Sequence, residues 1–331
     1  MKRNNSIDLF RFVCAILVII IHTSPFDFIS ERVTYIVVQI LPRIAVPFFF
    51  CVSGYFCITK LEKGEKWSFN YIFRVLKVYA FWSCLYFIRD VYVAICNESV
   101  DVLSMIKGFI LKFCIYGSNY HFWFFIALLF ATCITMLAYK LHMQKVLAFL
   151  SIILYVIGLL GGPYYGLGRE IPVLNLFIEL ANFEWYRRIF FMGIPFFILG
   201  YFVRHFEKQE SNKGALFKTC LFGILFIGEV VVVNIINIQR NVVTTVFLYV
   251  FCMYVMILLL KNPLEKYGEL GRKGRLIANY TFYIHPLIIW ALLLIKQWNN
   301  TILFMLTSVI CIMSGLLLTK FNNKFVRTIL G

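Results

Sequence analysis

The stretch Ile7-Asp8-Leu9-Phe10-Arg11-Phe12-Val13-Cys14-Ala15-Ile16-Leu17-Val18-Ile19-Ile20-Ile21-His22-Thr23-Ser24-Pro25 decides the fold class. Ten uninterrupted apolar residues separate Arg11 from His22. A basic start followed by such a run imitates a secretory leader, but no small-x-small cleavage site follows it. It is therefore read as a first, uncleaved membrane span. Runs of similar length recur at about 35–59, 71–95, 121–141, 146–160, 186–206, 214–236, 241–260, 275–296 and 301–320. The expectation is an all-α integral membrane protein, a bundle of about ten transmembrane helices forming one domain over residues 1–331.

Composition agrees. Of the 331 residues, 61% are hydrophobic and 15% charged, against about 25% charged in a soluble domain. The net charge of +16 does not point to nucleic acid, because the basic residues sit at the ends of apolar runs, where they orient helices. About 21 Lys and Arg fall on one side, from Lys2 and Arg3 through Lys60, Lys63, Lys66, Arg74 and Lys77 to Lys320, Lys324 and Arg327. About 9 fall on the other, which places both termini and the 60–70, 207–218 and 261–275 segments in the cytoplasm. Two outer segments are longer than turns: 96–120, with an amphipathic piece from Val102 to Tyr116, and 161–185, which carries Arg169, Glu170, Glu179 and Glu184. The ten cysteines are scattered singly, without metal-ligand spacing, and only Cys96 and Cys114 lie near a common outer loop. Walker A, G-x-S-x-G, H-E-x-x-H and dinucleotide-fold glycine patterns are all missing, and the sequons at Asn97 and Asn299 carry no weight.

Polar groups inside hydrocarbon are costly, so they are the informative positions. Arg11 and His22 are 11 residues apart, which is three turns plus about 20°, so they share a helix face and stand about 16 Å apart along the axis. Arg11 also has a plain structural reading, an i, i+3 pair with Asp8. Arg43 lies between Pro42 and Pro47, where a broken helix is expected to offer a guanidinium as an anion clamp. Ser53-Gly54 suggests close helix packing. His121 opens a helix at the outer interface, and Glu229 lies in an otherwise apolar helix, either protonated or paired. His285, followed by Pro286, is expected to break its helix, with packing and chemical roles both open.

The Ile7-Asp8-Leu9-Phe10-Arg11 to His22 pair, Val46-Pro47-Phe48-Phe49-Phe50 to Ser53-Gly54-Tyr55-Phe56, His121-Phe122-Trp123, Pro195-Phe196-Phe197 to Gly200, and Tyr283-Ile284-His285-Pro286 together resemble acyltransferase family 3 of membrane proteins. Within it, His22-Thr23-Ser24-Pro25, Ala45-Val46-Pro47, Tyr120-His121, Ile157-Gly158-Leu159 and Glu229 look most like the membrane half of the vancomycin-resistance serine racemases. Those continue into a pyridoxal-phosphate racemase domain, so the chain is either a stand-alone relative or the membrane part of a longer protein. The resemblance implies transfer of an acyl group, usually acetyl from acetyl-CoA at the cytoplasmic side, to a hydroxyl of a cell-envelope glycan or similar acceptor, at a bacterial plasma membrane and without a metal. On that view His22 is the general base, Arg11, Arg43 and Ser53 hold the acyl-CoA, and His121 and His285 face the acceptor. The alternative is L-serine delivery to a racemase domain or partner, with Arg43 on the substrate carboxylate and Glu229 on its ammonium.

Overall fold

The computed structural model describes residues 4–26, 30–64, 69–97, 101–180, 183–321 and 326. Lys2, Arg3, Lys66, Lys324 and Arg327, counted above for orientation, and Glu98 and Ser99 of the first sequon lie outside the described residues. The described residues contain no strand. The helices are α1 (Asn5–Thr23), α2 (Glu31–Ile40), α3 (Ala45–Glu62), α4 (Phe69–Cys96), α5 (Val102–Leu111), α6 (Trp123–Lys140), α7 (Gln144–Leu160), α8 (Tyr165–Gly168), α9 (Pro172–Leu180), α10 (Phe183–Tyr186), α11 (Ile194–Phe206), α12 (Asn212–Ile236), α13 (Val246–Lys261), α14 (Gly268–Ile295) and α15 (Asn300–Lys320). The all-α membrane class stands. Among the described residues, eight helical spans are long and apolar enough to cross a bilayer, whereas α7 and α13, two of the ten expected spans, are shorter, at 17 and 16 residues. Phe149, Ile224, Ile235 and Val309 lie exposed on α7, α12 and α15, an apolar exterior of the kind that lipid covers.

Several boundaries differ from the sequence reading. The span expected at 35–59 is divided into α2, a 3₁₀ turn over Leu41–Ile44 and α3. Pro42 marks that division, but Pro47 makes no second break, because it sits in the first turn of α3, where an N–H has no helical acceptor. The span expected from 241 starts at Val246, after Asn237 ends α12 in the left-handed region (φ 57°) and Thr245 caps α13 through its side chain. The described residues of the segment 161–185 are largely helical, and a π-helix over Arg187–Gly193 leads into α11. Cys96 and Cys114 are both free thiols, as are the other eight cysteines.

Two crossings position the site. At the first, α3 meets α11 so closely that a Cβ on Gly54 would fall 1.8 Å from the Phe197 carbonyl oxygen, and one on Gly200 would fall 2.2 Å from the Tyr55 nitrogen. Hydrophobicity does little to drive helices together in lipid, so small residues that allow backbone approach carry the packing. At the second, α1 lies along α14. Its start is fastened to the last turn of α13 and the connection that follows: Asn4 Nδ2 donates to the Leu259 carbonyl (3.0 Å), Asn5 Nδ2 to the Leu264 carbonyl (3.1 Å), and Ser6 Oγ to the Asn262 carbonyl. Asn4 Oδ1 also accepts from Ile7 N as the α1 N-cap. These bonds set the height of Arg11 and His22 against Arg275 and His285.

Candidate functional site

A cavity of about 490 Å³ opens between α1, α3, α4, α6 and α14. Each helix lends one face at helical spacing: Asn4, Asp8 and Arg11 from α1; Phe49, Ser53, Phe56 and Lys60 from α3; Tyr71, Arg74, Val75 and Val78 from α4; Arg275, Ala278, Asn279, Phe282 and Tyr283 from α14. Four cationic side chains, Arg11, Lys60, Arg74 and Arg275, therefore face one carboxylate, Asp8. Asp8 Oδ1 lies 3.6 Å from Arg11 Nη1 and 4.0 Å from Arg275 Nε, so the expected Arg11–Asp8 pair exists but is shared. The remaining positive charge suits a polyanion, and the volume is within the range of about 300–1,000 Å³ typical of small-molecule sites. Ser53 lines the cavity while its Oγ donates to the Phe49 carbonyl (2.8 Å).

The far end is closed by aromatic rings. Phe282 lies 5.3 Å from Phe124 and 6.1 Å from Phe49, measured between centroids, and 5.6 Å from the ring of His121. Beyond it three histidines meet. His22, in the last turn of α1, stacks on His285 of α14 with centroids 5.2 Å apart at 27°, and His121, in the turn before α6, stands edge-on to His285 at 5.3 Å and 67°. Tyr120 lies 4.9 Å from His22. His22 is exposed, whereas His121 and His285 are buried. Among the described residues, no group of three or more His, Cys, Asp or Glu side chains is arranged to hold a metal.

His285 does not interrupt its helix as expected. α14 runs unbroken from Gly268 to Ile295 through Pro286. Pro286 cannot donate to the Phe282 carbonyl, but His285 Nδ1 lies 3.0 Å from that oxygen and 3.0 Å from the Thr281 oxygen, which replaces the missing bond.

Arg43 and Glu229 lie elsewhere. Arg43, in the 3₁₀ turn, is not among the cavity-lining residues; it acts electrostatically on His22 and lies within the field of Arg187, at the histidine end. Glu229 is paired through backbone. Its Oε1 accepts from Val246 N (2.7 Å) and from the Tyr164 hydroxyl, and its Oε2 accepts from Phe247 N (2.8 Å). A carboxylate on the first N–H groups of α13 meets unpaired donors and the positive end of the helix dipole, which accounts for its burial. Sequence reasoning used Lys60, Arg74 and Arg275 only to orient helices. The overlooked signal was their phase: each falls on the same helix face as another lining residue, as Arg275 does with Asn279 and Phe282.

Residues 4–320 match the family described as acyltransferase domain. Among curated relatives, an amino-acid racemase of Enterococcus faecalis is 29% identical over 328 residues, covering 93% of this chain and 45% of that protein. A second amino-acid racemase of Enterococcus faecalis is 32% identical over 78% of the chain and 37% of its own length. A serine/alanine racemase of Enterococcus gallinarum is 28% identical over 67% of the chain and 32% of its own length. The chain thus spans less than half the length of these relatives. No solved structure matches it.

Proposed function

The chain belongs to the acyltransferase domain family, and from that premise we propose that it is a multi-pass membrane O-acyltransferase that moves an acetyl group from acetyl-CoA to a hydroxyl of a cell-envelope glycan or similar acceptor. One observation carries this reading: the basic cavity holding Arg11 ends against the cluster holding His22, on the same pair of helices. Arg11 and His22 stand about 16 Å apart along α1, a length comparable to a pantetheine arm. The phosphates of the donor would sit among Arg11, Lys60, Arg74 and Arg275, because guanidinium forks bind phosphate oxygens strongly. The abundance of Lys and Arg on that side supports a cytoplasmic mouth.

In the transfer step, His22 takes the proton of the acceptor hydroxyl as its oxygen forms the C–O bond to the thioester carbonyl carbon. The C–S bond then breaks, and the CoA thiolate leaves and receives the proton from His22. General-base work of this kind is worth about 10²–10⁴-fold. Calorimetry of acetyl-CoA on the purified protein, followed by acceptor-dependent release of CoA thiol, tests the reading. Absence of acetyl-CoA binding to the folded protein would overturn it.

A second reading is L-serine delivery to a racemase domain or partner. That the relatives are racemases favours it. Against it, the carboxylate that would meet the serine ammonium, Glu229, already accepts two backbone N–H bonds and a tyrosine hydroxyl. Accumulation of labelled L-serine in vesicles carrying the protein, above empty vesicles, would support delivery.

A further inference from the structure

Among the buried atoms at the histidine cluster that make no hydrogen bond, which include both ring nitrogens of His121, Nε2 of His285 has a fixed protonation state and no task in this chemistry. The ring is fully buried, and its Nδ1 faces two carbonyl oxygens, those of Thr281 and Phe282. Carbonyl oxygens only accept, so Nδ1 carries the proton and Nε2 the lone pair. Pro286 is the cause. It leaves the Phe282 oxygen without its helical donor, and the imidazole fills that place from the side. The His-Pro dipeptide therefore fixes the tautomer as well as mending the helix.

Nε2 is buried and makes no hydrogen bond. A buried acceptor left unsatisfied is costly, and it invites a donor that arrives with the working state of the site. His22 is placed to bring one. Its exposed ring stacks on the His285 ring with centroids 5.2 Å apart, which makes it a neighbouring donor for Nε2 in a state in which its side chain turns.

We infer that His285 is a positioning residue: its fixed lone pair receives one N–H of His22, which turns the other nitrogen of His22 toward the acceptor hydroxyl. This rests on the acyl-transfer reading for its purpose, but not for its geometry. The base is oriented by a third group, as nucleophile–base sites in general require. A neutral orienting group brings no charge that hydrocarbon would penalise, unlike a carboxylate. When His22 gains the acceptor proton, its inner N–H stays on Nε2 and the imidazolium is stabilised by a stronger, charge-assisted bond.

The test is nitrogen-15 resonance spectroscopy of the full chain in liposomes, labelled at its five histidines, with each assigned by single substitution. The expected result is a protonated Nδ1 and a bare Nε2 on His285, with the Nε2 resonance moved by His22→Ala and unmoved by the remote His205→Ala. Pro286→Ala, which returns an N–H to the Phe282 carbonyl, should raise the share of the other tautomer. A protonated Nε2 in the wild type, or an Nε2 resonance that answers to His121→Ala and not to His22→Ala, overturns the inference. In thiol release from acetyl-CoA, His285→Asn keeps a donor at the Nδ1 position and removes the lone pair. It should lower kcat about 100-fold with acetyl-CoA affinity unchanged, and kcat within threefold of wild type would also overturn the inference. If wild-type protein releases no thiol at all, the acyl-transfer reading fails, while the spectra still decide whether the His22–His285 pair exists.

Discussion

The α12–α13 junction and the α1–α14 crossing each bury a polar side chain midway along apolar helices, Glu229 at one and His285 at the other. Their surroundings differ in what is left over. Both oxygens of Glu229 are occupied, by the Val246 and Phe247 N–H groups and the Tyr164 hydroxyl. His285 uses Nδ1 to hold its helix together and keeps Nε2 unbonded, beside the other histidines. A buried polar group whose bonding capacity is spent is part of the frame. One with capacity in reserve, next to others like it, is part of a site.

The contrast can be broken most sharply at His22. His22→Ala should reduce transfer from acetyl-CoA by about 10²–10⁴-fold, with donor binding and melting temperature nearly unchanged. Turnover within tenfold of wild type, measured by acceptor-dependent thiol release, would move His22 from the working side of the comparison to the structural side.

The next effect belongs to the basic cavity. Arg11→Ala and Arg275→Ala should each weaken acetyl-CoA binding by about tenfold or more, since a charge-assisted bond contributes about 1.5–3 kcal/mol. Lysine at either position should recover little, because it lacks the planar fork. Calorimetry on both pairs of variants checks this, and unchanged affinity in both alanine variants would leave the arginines as anchors around Asp8.

At the α12–α13 junction the readout should be stability alone. Glu229→Gln turns one acceptor into a donor facing N–H groups, and should cost about 1–3 kcal/mol, seen as a lower melting temperature, with acetyl-CoA affinity unchanged. Loss of affinity at unchanged stability would erase the distinction between the two regions.

The smallest effect is expected from Arg43 on donor binding. Arg43 lies outside the basic cavity and near His22, so Arg43→Ala should leave acetyl-CoA affinity within about twofold of wild type, less than a single charge-assisted bond would contribute, while reducing transfer. A drop in affinity equal to that of Arg11→Ala would mean that the two ends are a single binding surface.

The sequence by itself determined the membrane class, the approximate helices and the first-helix pair of Arg11 and His22. These are local properties: run length in hydrocarbon and rotation per residue along one helix. It also marked His121 and His285 as unusual, because charge-capable groups are rare in such runs. It did not show that Lys60, Arg74 and Arg275 join Arg11, that Arg43 stands apart from them, or that Glu229 caps a neighbouring helix. Each of those facts depends on the relative height and rotation of different helices. Close passage at Gly54 and Gly200 and the fastening of Asn4, Asn5 and Ser6 to the end of α13 and the connection after it fix those quantities. The expected break at Pro286 failed for a related reason, since propensity counts the hydrogen bond a proline removes and only the folded helix reveals the side chain that replaces it.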